Sequence, residues 1–194
     1  DKPADMDGAI AASGTSDEND ACGAGGSADT YGATCLRVYE GMDPEVLRHR
    51  LGAEHTRLFI GAPEPVVSPY EGVWRAEDEG VPPLLMVNPH TMDVERFYHS
   101  CGLGKPEGTN EPLDHISTEL EFMQYLASVR AGIVEPVADI EEGAQAAFQQ
   151  FSHEHFALWS DRFGRAARCE SREPLFQLTG ALLATLCSSI AGAQ

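Results

Sequence analysis

Residues 88–104 read NPHTMDVERFYHSCGLG and contain every signal expected of one short helix. The side chain of Asn88 is of a kind that caps helices, and a proline beside it suits the first helical position, where no N–H partner is lost. Four apolar side chains then recur at the spacing of one helix face, at Val94, Phe97, Tyr98 and Cys101. Gly102 and Gly104 follow, and glycine is typical of a helix end. This segment therefore predicts a helix that ends before Gly102.

The same combination of proline and apolar spacing recurs on both sides of this segment. Asp43 and Pro44 predict the start of a helix whose apolar positions are Val46, Leu47, Leu51 and Leu58. Pro112 is expected to open another, with apolar positions at Ile116, Leu120, Met123 and Ala127, flanked by Phe122 and Leu126. A further series consists of Ile140, Ala144, Ala147, Phe148, Phe151, His155 and Leu158. The last begins at Pro174 and consists of Leu175, Leu178, Leu182, Leu186 and Ile190.

Strand patterns are almost absent, since apolar and polar residues alternate only weakly, at residues 65–68. We therefore predict an all-α fold, a single compact bundle of about five to seven helices. Residues 61–88 are predicted to be a long proline-rich loop, which in a small domain is usually functional or mobile. Its two aromatic side chains, Tyr70 and Trp74, are expected either to plug the bundle or to line a groove.

The charge of the chain excludes several classes of partner. Of the 194 residues, 13 are Lys or Arg and 31 are Asp or Glu, so the net charge is −18. Such a chain repels the phosphates of nucleic acids and anionic membrane surfaces. Residues 1–35 carry −6 of this charge and are rich in Gly, Ala and Ser, which predicts a flexible acidic arm. The remaining −12 belongs to residues 36–194, the predicted all-helical domain.

Further absences favour a cytoplasmic protein. No apolar run approaches the roughly 20 residues that span a bilayer, and the first residues do not form a secretory signal. The five cysteines include no CxxC pair, which fits a reducing compartment better than a disulfide framework.

Enzyme motifs are weak or missing. His115 and Glu119 have helical i, i+4 spacing, and His153 and His155 could add nitrogen ligands for a metal ion. The sequence contains neither a Gly-x-Ser-x-Gly motif nor a phosphate-binding loop. We therefore predict no enzymatic activity and no cofactor, and keep a metal-dependent hydrolase only as an alternative.

Two segments resemble a known family. Residues 97–103 read FYHSCGL, and residues 110–123 read NEPLDHISTELEFM. Together they resemble the central signature of the TorD/DmsD family of chaperones for molybdoenzymes exported by the twin-arginine route. Three flanking segments resemble further family motifs in the same order, at residues 57–63, 68–74 and 151–159.

The chain departs from the family pattern at two places. Gly72 and Trp74 stand where the family commonly has Ser and Tyr, and a glycine there is expected to loosen the loop. Family members usually begin with two amphipathic helices, whereas here only residues 31–39 could form one. Helix exchange between protomers is known in the family, so the resemblance implies a monomer or a domain-swapped homodimer.

The resemblance implies a cytoplasmic binding protein without catalytic activity. Its expected partners are the twin-arginine signal peptide and the apo form of a molybdopterin-containing oxidoreductase of the DMSO or TMAO reductase type, whose export it delays until the cofactor is inserted. A related alternative is an assembly chaperone of the nitrate-reductase type, which binds a subunit that is not exported.

The resemblance also implies a set of peptide-binding residues. Asp114 and Glu111 are expected at a helix start, where they face the guanidinium groups of the peptide, and His115 is expected to anchor the proline-rich loop by hydrogen bonding. One wall of the groove would consist of Pro69, Tyr70 and Trp74, with Glu71 beside them. The other wall or the floor would consist of Phe122, Met123, His155 and Trp159. Pro112 is a further member of the set, and Glu119 belongs either to the groove or to the scaffold beneath it.

Overall fold

The computed structural model describes residues 36–82, 88–105, 108, 111–137 and 143–192. The α-helices within these residues are α1 (Pro44–His55), α2 (Glu71–Asp78), α3 (Pro89–Ser100), α4 (Ile116–Arg130), α5 (Ala144–Glu154), α6 (Ser160–Glu170) and α7 (Pro174–Gly192). Short 3₁₀ turns occupy Arg37–Tyr39 and Phe156–Leu158, and a wider π turn, Thr56–Ile60, extends α1. These residues contain no strand, only one isolated bridge between Tyr70 and His115. The prediction of an all-α bundle is confirmed.

Two of the predicted helix starts are capped as the sequence indicates. The side chain of Asp43 accepts hydrogen bonds from the N–H groups of Glu45 and Val46 at the start of α1. The side chain of Asn88 accepts one from the N–H of His90 at the start of α3, over 2.9 Å. At the other end of α3, Gly102 adopts a positive φ of 72°, and its N–H donates to the carbonyl of His99. Local sequence signals therefore set both ends of α3.

The core lies where α3, α4, α5 and α6 meet. The ring of Phe122 stacks on Tyr98 with a centroid distance of 4.2 Å and meets the edge of Phe151 at 4.8 Å. Trp159 is fully buried beside them. Burial of each of these large side chains contributes about 1.5–3 kcal/mol of hydrophobic stabilisation. Three of the motif segments found in the sequence therefore meet in the core.

Helices α6 and α7 approach each other more closely than ordinary side chains would allow. A Cβ atom placed on Gly164 would lie 2.8 Å from the carbonyl oxygen of Gly180, and one placed on Gly180 would collide with the carbonyl of Gly164. Glycine at both positions lets the two backbones touch. This contact fixes how α7 is rotated against the bundle.

We predicted that the proline-rich segment is a loop throughout. This is wrong, because the segment contains α2. The prolines at positions 63, 65, 69 and 82 lie before or after Glu71–Asp78 and none lies within it, so the helix is not interrupted. Position 83 lies outside the described residues. A second boundary was also predicted wrongly, since α4 begins at Ile116 with His115 as its cap, and Pro112 lies before the turn that leads into the helix.

The predicted fourth helix is shorter than the apolar series suggested. Helix α5 ends at Glu154, and His155 adopts a non-helical conformation before the next turn. Position 140, where the series was expected to begin, lies outside the described residues, as do the arm of residues 1–35 and the start of the helix expected over residues 31–39. Residues 36–39 of the latter are described, and Arg37–Tyr39 form a 3₁₀ turn.

The predicted buried face of α7 is partly wrong. Leu182 and Leu186 are 57% and 42% exposed, and the side chains that face the bundle are instead Leu183 and Cys187. The helix carries no charged residue, so its sequence provides no polar face to indicate which side meets solvent. In the described part of the chain, no helix has the length and apolar character needed to cross a membrane.

Candidate functional site

Two segments that are far apart in the sequence cross at the isolated bridge. The carbonyl of Pro69 accepts a hydrogen bond from the N–H of Ile116 over 2.9 Å, and the N–H of Glu71 donates to the carbonyl of Asp114 over 2.9 Å. These bonds hold the ring of Tyr70 edge-on to that of His115, with their centroids 5.2 Å apart. The structure therefore brings the proline-rich segment and the start of α4 together.

Asp114 holds this crossing together from inside. Its side chain is only 1% exposed, and Oδ2 accepts hydrogen bonds from the N–H of Gly72 and the hydroxyl of Thr91, over 3.0 and 2.7 Å. Oδ1 has no partner among the described residues. Burial raises the pKa of Asp114, while the two hydrogen bonds lower it. We expected Asp114 to face the peptide at a helix start. It is buried instead, and it fastens α2 and α3 to the turn before α4.

The departure from the family pattern at Gly72 suggested a looser loop, but the structure shows no such effect. Gly72 lies in the first turn of α2, and a Cβ atom there would be 2.7 Å from the hydroxyl oxygen of Thr91. That hydroxyl is the one that donates to Asp114. The glycine thus allows the close approach of α2 and α3 on which this hydrogen-bond network depends.

His115 was expected to anchor the proline-rich segment by hydrogen bonding, but among the described residues its neighbours Asp114 and Ile116 make the hydrogen bonds of the crossing, and His115 contacts the segment through the ring of Tyr70. The ring Nδ1 accepts a hydrogen bond from the N–H of Ser117 over 3.2 Å and so caps α4. Burial lowers the pKa of His115, which favours the neutral ring that can accept this bond. The neighbouring Glu111 is exposed, and its Oε1 lies 3.5 Å from the Tyr70 hydroxyl.

A first cavity of about 450 Å³ opens beside the crossing. Most of its wall is carbon, and its polar side chains are those of His55, Tyr70, Glu111, His115, Ser117 and Thr179. The aliphatic and aromatic lining comes from the end of α1, from α4, α6 and α7, and consists of Phe59, Ile60, Pro69, Ile116, Leu120, Phe163, Leu175, Phe176 and Leu183. We call this space the first cavity.

A second cavity of about 570 Å³ also borders Tyr70. Trp74 borders it, held by a 2.8 Å hydrogen bond from its ring N–H to the carbonyl of Ser68. The wall is completed by the residues Phe59, Ile60, Glu64, Pro65, Val66, Val67, Ser68, Tyr70, Val73 and Glu77. Tyr70 and Trp74 both border this cavity, and Trp74 also packs against the hydrophobic core.

Four members of the expected peptide-binding set, namely Glu71, Glu119, His155 and Trp159, form a buried polar network. Glu71 is fully buried, contacts Arg75 at 2.9 Å, and lies 3.3 Å from Nδ1 of His155. Glu119 is 0% exposed, and its Oε2 accepts a 3.2 Å hydrogen bond from the ring N–H of Trp159. Burial and the adjacent Glu71 carboxylate raise the pKa of Glu119 well above its ordinary value. This network lies beneath the crossing and supports it.

The remaining expected residues do not border either cavity. Phe122, Met123 and Trp159 lie in the core, and Pro112 lies just before the turn that leads into α4. His155 borders a separate polar cavity of about 440 Å³ near Arg75. We call the first and second cavities together the groove. The expected residues that border it are therefore Pro69, Tyr70, Trp74, Glu111 and His115.

Several groove residues were missed by the sequence analysis. Phe59 and Ile60 lie in residues 57–63, a segment that resembles the family, but the resemblance assigns them no role. Ile60 is nevertheless 60% exposed. Leu175 and Phe176 were assigned to the core face of α7 or not singled out. The available signal for Ile60 was its place as an apolar residue directly before Gly61, where the π turn that extends α1 ends.

The metal-site alternative finds no support in the described residues. No group of three or more His, Cys, Asp or Glu side chains there is arranged to hold a metal ion. His115 is turned toward Ser117, Glu119 toward Trp159, and His153 is exposed to solvent.

Comparison with known proteins agrees with the resemblance drawn from residues 97–123. The family model described as "Nitrate reductase delta subunit" matches residues 31–165. A selenate reductase assembly chaperone protein of Thauera selenatis is 31% identical over 146 residues, which are 75% of this chain and 70% of the relative. A chlorate reductase assembly chaperone protein of Ideonella dechloratans is 30% identical over the same shares of the two chains.

A third relative carries the family name used above. The chaperone protein TorD of Photobacterium profundum is 23% identical over 141 residues, which are 71% of this chain and 60% of the relative. All three relatives are named as chaperones and none as a catalyst. The chain therefore belongs to the nitrate reductase delta subunit family, the family of the TorD-like chaperones.

Proposed function

We propose that this protein is an assembly chaperone for a molybdenum-containing oxidoreductase of the DMSO or TMAO reductase type. It binds the twin-arginine signal peptide and the apo form of that enzyme, and it delays export until the cofactor has been inserted. The names of the relatives support the part of the proposal that concerns reductase assembly. The observation that carries the binding of a peptide is the apolar first cavity, open beside Tyr70 and His115.

The chemistry of a signal peptide fits this surface. Its apolar segment can leave water by entering the first cavity, where most wall atoms are carbon. Its arginines are attracted over long distances by a chain whose net charge is −18. Attraction of this kind increases the rate of association and the specificity more than the affinity. The apolar contacts are therefore expected to supply most of the binding energy.

A chaperone for a subunit that is not exported is the second candidate. The description of the matching family model, which names a nitrate reductase subunit, favours it. The two candidates differ in the need for an arginine pair. A chaperone of exported enzymes binds the peptide less well when both arginines are replaced, whereas a chaperone of the second kind binds an apolar terminal peptide without them.

Calorimetric titration with a synthetic signal peptide tests the proposal. Ile60 is 60% exposed, so Ile60→Ser removes apolar groove surface with little risk to the fold. We expect this variant to bind about tenfold more weakly, because burial of such a side chain contributes about 1.5–3 kcal/mol when complete. Ile133→Ser is the matched control, because Ile133 is also exposed and borders neither cavity. Equal binding by both variants, or none by the unaltered protein, would contradict the proposal.

The location and assembly of the protein are part of the same proposal. We place it in the cytoplasm, where signal peptides are met before export. Its oligomeric state stays a prediction, either a monomer or a domain-swapped homodimer. Light scattering on a size-exclusion column distinguishes the two by mass.

A further inference from the structure

The first and second cavities are neighbours that share part of their walls. Phe59, Ile60 and Tyr70 belong to the walls of both, so an extended or helical peptide can pass from one to the other along these three side chains. The cavities differ in their charged groups. This difference gives the groove two distinct ends.

The second cavity has two carboxylates that are available to a partner. Glu64 and Glu77 are both exposed at its wall, and neither carboxylate forms an ion pair or hydrogen bond with any residue that the structure describes. The next acidic residue, Asp78, is already engaged by two 2.7 Å hydrogen bonds from Arg162. Free carboxylates on a groove wall are suited to guanidinium groups, which form charge-assisted hydrogen bonds with them.

The protein already binds one guanidinium of its own beside this cavity. Arg162 donates to both carboxylate oxygens of Asp78, and its guanidinium carbon lies 5.4 Å from the ring centre of Trp74. A carboxylate and an aromatic face together form a favourable site for arginine. Asp78 and Trp74 on α2 thus bind the guanidinium of Arg162. Glu77 on the same helix can offer a carboxylate beside Trp74 to the guanidinium of a ligand in the same way.

The first cavity is a poor site for an arginine. Its single carboxylate, Glu111, lies beside the Tyr70 hydroxyl, and much of the remaining wall consists of side chains such as Leu120 and Leu183. A guanidinium placed there would lose its hydration without gaining enough hydrogen bonds in return. An apolar segment has no such cost.

We propose that the groove binds its peptide in one direction, with the arginine pair at Glu64 and Glu77 in the second cavity and the apolar segment in the first cavity. The arginine end of the peptide lies next to Trp74. The peptide then passes Tyr70 and enters the space between α4 and α7. This inference rests on the proposed function, because it assigns a direction to the same peptide in the same groove.

Peptide titration against a charge-neutral double variant tests the direction. We expect Glu64→Gln combined with Glu77→Gln to weaken binding of the twin-arginine peptide about tenfold at low salt, and less as salt screens the exposed charges. A peptide with both arginines replaced by glutamine should bind the double variant and the unaltered protein equally well. Glu121→Gln combined with Glu135→Gln is the control, since it removes the same charge from exposed positions outside both cavities.

Crosslinking provides an independent measurement of the direction. A photoreactive group beside the arginines should attach to residues 64–77, and one in the apolar segment should attach to α4 or α7. The reverse pattern, or an equal loss of affinity for both peptides, would overturn the direction while leaving peptide binding intact. Absence of binding by the unaltered protein would overturn the proposed function and the direction with it.

Discussion

The buried carboxylate of Asp114 accepts a 3.0 Å hydrogen bond from the backbone N–H of Gly72, which lies 42 positions earlier in the chain. The second hydrogen bond to the same oxygen comes from Thr91 on α3. One carboxylate thus joins the start of α2 and the start of α3 to the turn that precedes α4. Because Tyr70 and His115 flank these bonds, Asp114 positions the groove without reaching its surface.

This arrangement predicts that Asp114→Ala lowers the free energy of unfolding by about 1–3 kcal/mol, since the N–H of Gly72 is left buried without an acceptor. Asp114→Asn should cost less than Asp114→Ala. It keeps the shape and one acceptor oxygen, and it removes a buried charge whose other oxygen has no partner in the described residues. Urea denaturation of the three proteins measures the order.

Asp93→Ala is the matched control for this series. Asp93 is exposed on α3 and, among the described residues, pairs only with Arg96 on the same helix; surface pairs of this kind contribute about 0–1 kcal/mol. A loss of stability in Asp114→Ala no larger than in Asp93→Ala would show that the buried hydrogen bonds do not fasten the crossing.

Glu119 predicts a dependence of stability on pH. Burial, and then the adjacent Glu71, raise its pKa well above the ordinary value of 4.5, so above that pH the unfolded chain releases a proton that the folded chain keeps. Stability must then fall as pH rises, by up to about 1.4 kcal/mol per pH unit for one group. Glu119→Gln cannot ionise and can still accept the hydrogen bond from Trp159. The variant should therefore gain stability relative to the unaltered protein between about pH 5 and about pH 7.

Denaturation curves at several pH values measure this difference. Glu121→Gln lies on the same helix with an exposed side chain, and its stability should follow that of the unaltered protein at every pH. A constant difference between Glu119→Gln and the unaltered protein would mean that Glu119 ionises equally in the folded and unfolded chains.

The parts of the fold that sequence predicts well are set by local interactions. The caps at Asp43 and Asn88 and the glycine after α3 act within a few residues, so they can be read directly from the sequence. Helix α2 was missed because prolines surround it, although none falls inside it. The rotation of α7 was missed because it depends on the contact between Gly164 and Gly180, which no local pattern indicates.

The candidate site was harder to predict because its side chains meet over long distances in the sequence. The resemblance pointed to the right segments, and the crossing of Tyr70 and His115 brings two of them together. It did not indicate which side chains face the groove. An aspartate in a polar motif is expected to be exposed, yet Asp114 is buried since its partners come from other helices. Ile60 borders both cavities although it has no polar group to attract attention.

The close contact of α6 and α7 predicts opposite effects for two glycine substitutions. Gly180→Ala should destabilise the protein by about 1–3 kcal/mol or more, because its Cβ would meet the backbone of Gly164 and lie 2.8 Å from the N atom of Arg168, and backbone cannot move aside as a side chain can. Gly52→Ala in α1 is the control. No atom lies within 4 Å of a Cβ at Gly52, so alanine there should stabilise by about 0.5–1 kcal/mol through its helix propensity. Thermal unfolding should therefore shift downward for Gly180→Ala and upward for Gly52→Ala. If both variants shift upward, α7 does not pack against α6 as closely as the two glycines allow.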